Sequence, residues 1–200
     1  PQSGSLELGR YTVGTLALNL GSAFAIMVCA FVVLFFTVAY HTTLAKIAYR
    51  VSLLGYSIPG AVVGIGALLL FSSMDRALGQ YWFGGSFFVL IFAYMVRFYP
   101  AGVGALNSGF AKITTELQEA SKLYASGEFA RMWRVSLPMV KGAFVGGFLI
   151  VFIDISKELP ATLLLRPFNF DTLATRIYEL ASNEMLPALG LPSLVLIAMT

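Results

Sequence analysis

Long apolar stretches alternate with short polar stretches along the whole chain. Each apolar stretch is long enough to cross a bilayer as an α-helix, at about 1.5 Å per residue. The pattern predicts an all-α, polytopic membrane helix bundle with about five spans, at residues 14–40, 51–73, 83–105, 135–158 and from 186 onwards. Because the last apolar run is cut at Thr200 and the chain does not begin with Met, we expect a piece of a longer protein. We expect residues 1–200 to form a single transmembrane domain.

Two residues inside these predicted helices carry specific expectations. Pro59 lies within the second predicted helix and should kink it, because proline removes a backbone donor and clashes with the preceding turn. Arg97 lies near Pro100, towards the end of the third predicted helix. Its charge should either snorkel to the surface or face a polar pathway, and its nearness to the helix end favours snorkelling. Gly60 and Gly64 have the small-xxx-small spacing that lets a neighbouring helix come close, but glycines are common in membrane helices, and we attribute each single glycine of the second helix to that composition.

The polar stretches predict ordered loops rather than plain linkers. In the loop at residues 107–134, Thr115 and Gln118 have capping-box spacing, and Ser126 is placed to cap a second short helix at 127–134. The loop at about 160–186 contains an amphipathic pattern that predicts a helix at 172–181, with Asp171 as its cap.

Composition supports the membrane assignment, and charge orients the chain. Hydrophobic residues make up 58% of the sequence and charged residues only 12%, whereas soluble domains carry roughly 25% charge. One set of alternate loops is richer in basic residues and should be cytoplasmic. Its basic residues are Lys46, Arg50, Lys112, Lys122, Arg131, Arg134 and Lys141. The other set has Arg10, Arg76, Arg166 and Arg176. The loop at about 107–138 is therefore predicted to be cytoplasmic, and the loop at about 160–186 to be external.

The cytoplasmic loop has the composition of a docking element. It interleaves charged residues with large apolar ones, the candidate anchors being Tyr124, Phe129, Met132 and Trp133. A helical hairpin of this kind could enter a groove on a soluble partner, with Glu119 and the basic residues setting the register. It could also be an amphipathic loop lying on lipid headgroups.

A second polar cluster lies at the end of the fourth predicted span. Asp154 and Glu158 are four residues apart on one helix face, and Lys157 is three residues from Asp154. These residues could form a cation path or an outer gate, or instead a structural ion pair between Asp154 and Lys157. Acid–base catalysis has no support, because the single histidine, His41, belongs to the opposite side of the membrane.

Residues 119–138 resemble the loop motif of permease subunits of binding-protein-dependent ABC importers, which reads E-A-A, three residues, G, nine residues, I-x-L-P. Glu119, Ala120 and Ser121 occupy the E-A-A positions, Ala125 stands at the glycine position, and Val135, Leu137 and Pro138 occupy I-x-L-P. Because Ala125 replaces the glycine, Gly127 is expected to take the turn. The resemblance implies a type I importer fold in which these residues couple the permease to an ABC ATPase subunit.

Residues 157–181 are similar to the corresponding stretch of ferric-iron ABC importer permeases. This likeness implies a bacterial-type inner-membrane protein that takes ferric iron from a periplasmic solute-binding protein and works with a second permease half, fused or separate. Thiamine, polyamine, phosphonate and sulfate permeases share the fold and remain alternatives, as does an ion-coupled secondary transporter. We expect no cofactor, no metal site and no nucleic-acid partner. Because no P-loop pattern is present, ATP hydrolysis is expected in a separate subunit rather than in this chain.

Overall fold

A computed structural model of the chain describes residues 2–40, 47, 50, 53–124 and 127–200. The regular elements in this part of the chain are helices, as the hydropathy pattern predicts. In order they are α1 (Gln2–Tyr40), α2 (Gly60–Leu78), α3 (Phe87–Phe110), α4 (Thr115–Tyr124), α5 (Glu128–Arg131), α6 (Leu137–Ser156), α7 (Pro160–Leu165), α8 (Leu173–Ser182) and α9 (Leu186–Met199). A 3₁₀ turn, Leu53–Ser57, precedes α2, and a π-helical turn, Met132–Ser136, joins α5 to α6.

Four helical stretches of the described residues are long and apolar enough to cross a membrane. They are Glu7–Thr37, Gly60–Leu78, Phe87–Phe110 and Glu128–Ser156. The fifth predicted span corresponds to the shorter apolar helix Leu186–Met199. The prediction of an all-α polytopic membrane protein is therefore confirmed.

The core is formed by α1, α3 and α6, which pack against one another along their lengths. Lipid is as apolar as a leucine side chain, so close packing rather than water exclusion holds such helices together. Gly147 of α6 shows how close the helices come. A Cβ added there would lie 2.7 Å from Cε of Met27 and 2.8 Å from Cβ of Ala105. Met27 of α1 and Ala105 of α3 therefore both contact α6 at the level of Gly147.

Pro59 begins α2 instead of kinking a longer helix, so the predicted kink is wrong. The chain is extended at Pro59 (φ −56°, ψ 139°), and its carbonyl accepts hydrogen bonds from the Val62 and Val63 amides. Proline disfavours helical geometry in the residue before it, which separates the 3₁₀ turn from α2. The helix then continues five residues beyond the predicted end at 73, to Leu78.

The polar loop before the fourth span joins that span without a break, contrary to the predicted helix boundary at residues 134–135. The Leu137 amide donates to the Met132 carbonyl, five residues back, which defines the π-helical turn. Pro138, in the first turn of α6, has no amide to donate, and its ring would clash with the Arg134 carbonyl in a regular helix. The extra residue in the turn lets the helix pass this proline.

The segment after α7 folds back onto the start of α1. Thr172, not Asp171, caps α8. Its hydroxyl accepts from the Thr175 amide, while Thr175 Oγ1 accepts from the Thr172 amide at 2.9 Å. Asp171 instead forms an ion pair with Arg166. The Leu173 amide donates to Thr15 Oγ1 at 2.8 Å, so α8 is attached directly to α1.

Candidate functional site

A polar pocket of about 260 Å³ lies where α3, α6 and the 3₁₀ turn meet. Its lining consists of Tyr56, Arg97, Phe98, Asp154, Lys157 and Glu158. The three residues predicted as a path or gate, Asp154, Lys157 and Glu158, therefore lie together. Arg97, for which a polar pathway was the less favoured expectation, joins them, and so does Tyr56, which the sequence did not indicate.

Arg97, whose side chain is 25% exposed, forms an ion pair with the buried Glu158 instead of snorkelling. It lies ten residues after the start of α3, about 15 Å along the helix. Its Nε is 2.9 Å from Glu158 Oε2, and its Nη1 donates to the Ile58 carbonyl at 2.9 Å. The Glu158 side chain is only 5% exposed, and its Oε1 also accepts from the Ala161 amide at 3.1 Å. At this depth a neighbouring carboxylate is a better partner than a distant headgroup region.

Gly60 allows α2 to approach this ion pair. A Cβ at this position would lie 2.2 Å from Glu158 Oε1 and 2.9 Å from Arg97 Nη1. Gly60 is also the first residue of α2, so the carboxylate lies beside the positive end of a helix dipole. One turn later, a Cβ on Gly64 would lie 3.3 Å from the Ala161 Cα. Attributing each glycine of α2 to composition alone is therefore wrong at these two positions.

The local ion pair predicted between Asp154 and Lys157 is not among the ion pairs of the described residues. Glu158 pairs instead with Arg97, which is 61 positions away in sequence. Asp154 is partly buried, and Lys157 is exposed where α6 ends. The pocket thus contains one tightly paired carboxylate and one carboxylate outside any ion pair of the described chain.

Hydrogen bonds hold α7 beneath the pocket. The fully buried Tyr94 hydroxyl is 2.6 Å from Thr162 Oγ1, and Thr162 Oγ1 donates to the Glu158 carbonyl at 2.6 Å. Asn19 Nδ2 donates to Ser156 Oγ at 2.9 Å, which ties α1 to the end of α6. These contacts fix the backbone on both sides of residue 157.

The second candidate site is the hairpin, by which we mean α4, α5 and the residues between them. Thr114 rather than Thr115 precedes the first helix, and its Oγ1 accepts from the Leu117 amide at 3.4 Å. A hydrogen bond with the Thr114 side chain also lowers the pKa of Glu116. Ala125, at the motif glycine position, and Ser126, the predicted cap, lie outside the described residues.

Gly127 has φ 102° and ψ 155°, a backbone conformation that only glycine adopts readily. It immediately precedes α5, and its carbonyl accepts from the Arg131 amide at 3.1 Å. This backbone supports the prediction that Gly127 takes part in the turn.

The motif residues differ in their exposure. Glu119, Ala120 and Pro138 are exposed, Val135 and Leu137 are half-buried, and Ser121 is buried. Of the predicted anchors, Phe129 is 74% exposed and Trp133 42% exposed, with their ring centroids 6.0 Å apart. Met132 is buried and packs inwards, so its prediction as an anchor is wrong. Leu117 is an exposed apolar residue that the sequence reasoning missed.

Arg131 attaches the hairpin to the membrane core. Its guanidinium pairs with Glu128 and lies 5.5 Å from the Phe35 ring centroid on α1, a cation–π contact. Arg131, one of the basic residues predicted to set the register with a partner, is thus only 11% exposed and makes its contacts within the chain. Within the described residues, no group of three His, Cys, Asp or Glu side chains is placed to hold a metal ion.

The chain is similar to known proteins over most of its length. The family model for the binding-protein-dependent transport system inner membrane component matches residues 21–200. The Fe(3+)-transport system permease protein FbpB 2 of Haemophilus influenzae is 26% identical over 170 residues, covering 85% of this chain and 32% of that protein. The putative 2-aminoethylphosphonate transport system permease protein PhnV of Salmonella typhimurium is 23% identical over 144 residues, covering 72% and 52%. The maltodextrin transport system permease protein MalD of Streptococcus pneumoniae is 26% identical over 118 residues, covering 58% and 40%. The chain therefore spans from about a third to about half of these relatives.

Proposed function

Because the chain belongs to the family of binding-protein-dependent transport system inner membrane components, we propose that it is the membrane-spanning part of an ATP-driven ABC importer. In this function a periplasmic solute-binding protein delivers the solute and a separate ABC ATPase subunit hydrolyses ATP. A second permease half, fused or separate, completes the pathway. Family membership argues against the alternative of an ion-coupled secondary transporter.

The observation that carries this proposal is the continuous helix from the hairpin into the membrane. Glu128–Ser156 is helical over 29 residues, so α5, at the base of the exposed hairpin, is joined rigidly to a membrane-spanning helix. Glu119 and Phe129 are exposed on that hairpin, available to a soluble partner. When nucleotide binding moves the ATPase subunits, a displacement of the hairpin would pass along α6 to the polar pocket. That is a mechanical route from ATP to the membrane core.

We propose ferric iron as the solute. The support is the resemblance of residues 157–181 to ferric-iron permeases and the names of relatives from Haemophilus influenzae and Actinobacillus pleuropneumoniae that are described as ferric transport permeases. A phosphonate is the second candidate, because the PhnV relatives cover 72% of the chain. Thiamine, polyamine and sulfate remain possible solutes of the same fold.

Within the polar pocket we assign different roles to the two carboxylates. Glu158, with Arg97, holds α2, α3 and α7 together, because it contacts all three. Asp154, which forms no ion pair in the described chain, is proposed to face the solute path, with Lys157 at the exposed rim. Of the two carboxylates predicted to form a path or gate, we thus propose only Asp154 as part of the solute path.

Charge reversal at Glu119 tests the importer proposal. Glu119→Lys should uncouple ATP hydrolysis from solute uptake, because it places the wrong charge on the surface offered to the ATPase. The matched control is Glu7→Lys, which reverses an exposed carboxylate at the other end of the bundle and should leave coupling normal. Normal coupling in Glu119→Lys would count against the proposed docking role.

Uptake of radioactive ferric iron, with 2-aminoethylphosphonate measured in parallel, tests the solute. Cells lacking the full-length protein should lose iron uptake and retain phosphonate uptake. The reverse result would end the iron assignment and leave the importer proposal intact. In the same assay Asp154→Asn should slow uptake while the protein still inserts normally. Unchanged uptake would remove Asp154 from the path.

A further inference from the structure

A second groove, separate from the polar pocket, lies between α1 and α6 towards the hairpin end of the bundle. Its volume is about 260 Å³. Its wall is apolar and largely aromatic, formed by Phe24, Phe31, Leu137, Phe144 and Val145. Trp133 closes the end nearest the hairpin, with its ring centroid 6.4 Å from that of Phe31. The shape and lining suit a flexible hydrocarbon chain.

One charged residue, Lys141, lines this otherwise apolar groove. It lies about one helical turn into α6 and is exposed, and it takes part in no ion pair of the described residues. An unpaired lysine at this depth extends its apolar stem along the groove and brings its ammonium group to the headgroup region. Arg134, also exposed and outside those ion pairs, lies about two turns nearer the cytoplasm.

We propose that this groove binds an anionic phospholipid of the cytoplasmic leaflet, with an acyl chain along the aromatic wall and the headgroup phosphate on the Lys141 ammonium. Charge complementarity favours this occupant, because Lys141, a cation outside the ion pairs of the described residues, lines an apolar groove near the face where anionic headgroups lie. A packed protein helix would have to supply a carboxylate to Lys141. The proposal does not depend on which solute is carried or on the ATPase subunit.

The position of the groove gives the lipid a consequence. Trp133 belongs to the π-helical turn between the hairpin and α6, and it also packs against Phe129 of the hairpin. A lipid in the groove would therefore contact the joint through which hairpin movement reaches the membrane. The lipid composition of the inner leaflet would then affect coupling.

Trp133 supplies the test, because the chain contains only one other tryptophan, Trp82. The full-length Trp82→Phe protein, with any tryptophan outside residues 1–200 also changed to phenylalanine, would be reconstituted into phosphatidylcholine vesicles that contain either brominated phosphatidylglycerol or brominated phosphatidylcholine at equal fractions. Brominated phosphatidylglycerol should be enriched about fivefold at Trp133, since one lysine near anionic lipid contributes about 1 kcal/mol. Lys141→Gln should remove the preference, and Lys141→Arg should restore it. The control Lys112→Gln, at an exposed lysine outside the groove, should not change it.

Salt gives a test that needs no change at the groove. Raising the ionic strength to about 1 M shortens the screening length to about 3 Å, so the headgroup preference should fall. Equal quenching by both lipids in the Trp82→Phe protein, or a preference that survives Lys141→Gln, would overturn the proposal. Absence of quenching by either lipid would show that protein covers the groove, which also contradicts it.

Discussion

The polar pocket and the hairpin place their polar and apolar groups in opposite ways. The pocket keeps a charged pair, Arg97 and Glu158, inside an apolar bundle and satisfies both partners with backbone contacts. The hairpin keeps large apolar side chains, such as Phe129, exposed in a polar loop. Buried charge that is fully paired serves the fold, whereas exposed apolar surface on a rigid helix is available to a partner. Variants of each region test whether the paired charge stabilises the fold and whether the exposed apolar surface binds a partner.

The largest expected effect is on stability, from breaking the ion pair. Glu158→Ala leaves Arg97 charged and unpaired and should lower the free energy of unfolding by about 3 kcal/mol, somewhat less where water reaches the arginine. Thermal unfolding in detergent measures this change. The double variant Arg97→Gln with Glu158→Ala should be more stable than the single variant. A double variant no more stable than the single one would refute the pairing as the cause.

The next effect is steric. Gly60→Ala places a Cβ 2.2 Å from Glu158 Oε1 and should cost about 2 kcal/mol of stability, because the carboxylate cannot move without losing Arg97. Gly66→Ala is the matched control in the same helix. Nothing lies within 4 Å of its added Cβ, so it should be neutral or slightly stabilising. Equal stability of the two variants would mean that α2 does not press on the ion pair.

A smaller effect is expected on the hairpin side, and on binding rather than on folding. Phe129→Ala should weaken the affinity for the ATPase subunit about tenfold, as truncation of an aromatic anchor does, and leave thermal stability unchanged. Binding measured with purified subunits decides it. Phe168→Ala removes a 95% exposed phenylalanine from the segment between α7 and α8 and should not affect this affinity. A loss of thermal stability without a loss of affinity for the ATPase subunit would show that Phe129 stabilises the fold rather than binds the partner.

The smallest effect concerns the turn. Gly127→Ala forces a side chain into a positive-φ conformation and should destabilise the hairpin by about 1 kcal/mol. Hydrogen exchange of the α4 and α5 amides should accelerate, while exchange in α6 should not. Gly142→Ala, at an open helical position, is the control and should leave hairpin exchange unchanged. Unaltered exchange in Gly127→Ala would move the turn to another residue.

Features that depend on local pattern could be predicted from the sequence. Spans follow from apolar length alone, so all five apolar segments were found, although α9 is short. Motif spacing located the hairpin, and composition located Phe129 and Trp133. Capping residues were displaced by one position, as at Thr114 and Thr172, because several adjacent hydroxyls can serve and tertiary contacts decide which one does.

Features that depend on distant partners could not be predicted. Arg97 looked like a snorkelling residue because its neighbour Pro100 suggested a helix end, but α3 continues to Phe110 and the partner is Glu158. Pro59 looked like a kink because nothing in the sequence shows that the preceding backbone is held by Arg97. The spacing of Asp154 and Lys157 predicts a local ion pair. The same pocket, however, contains Arg97 of α3, which pairs with the neighbouring Glu158.

The π-helical turn fixes the angular phase of the hairpin. A helix advances about 100° per residue, so the one additional residue in Met132–Ser136 rotates everything before it by about that angle relative to α6. Deleting a single residue there, together with Pro138→Ala to remove the ring that blocks a regular helix, would turn the face that carries Phe129 away from its present direction. The contacts of α1, α3 and α6 would be unchanged. The direction in which the hairpin points is therefore set by the number of residues in the π-helical turn, independently of which side chains the hairpin exposes.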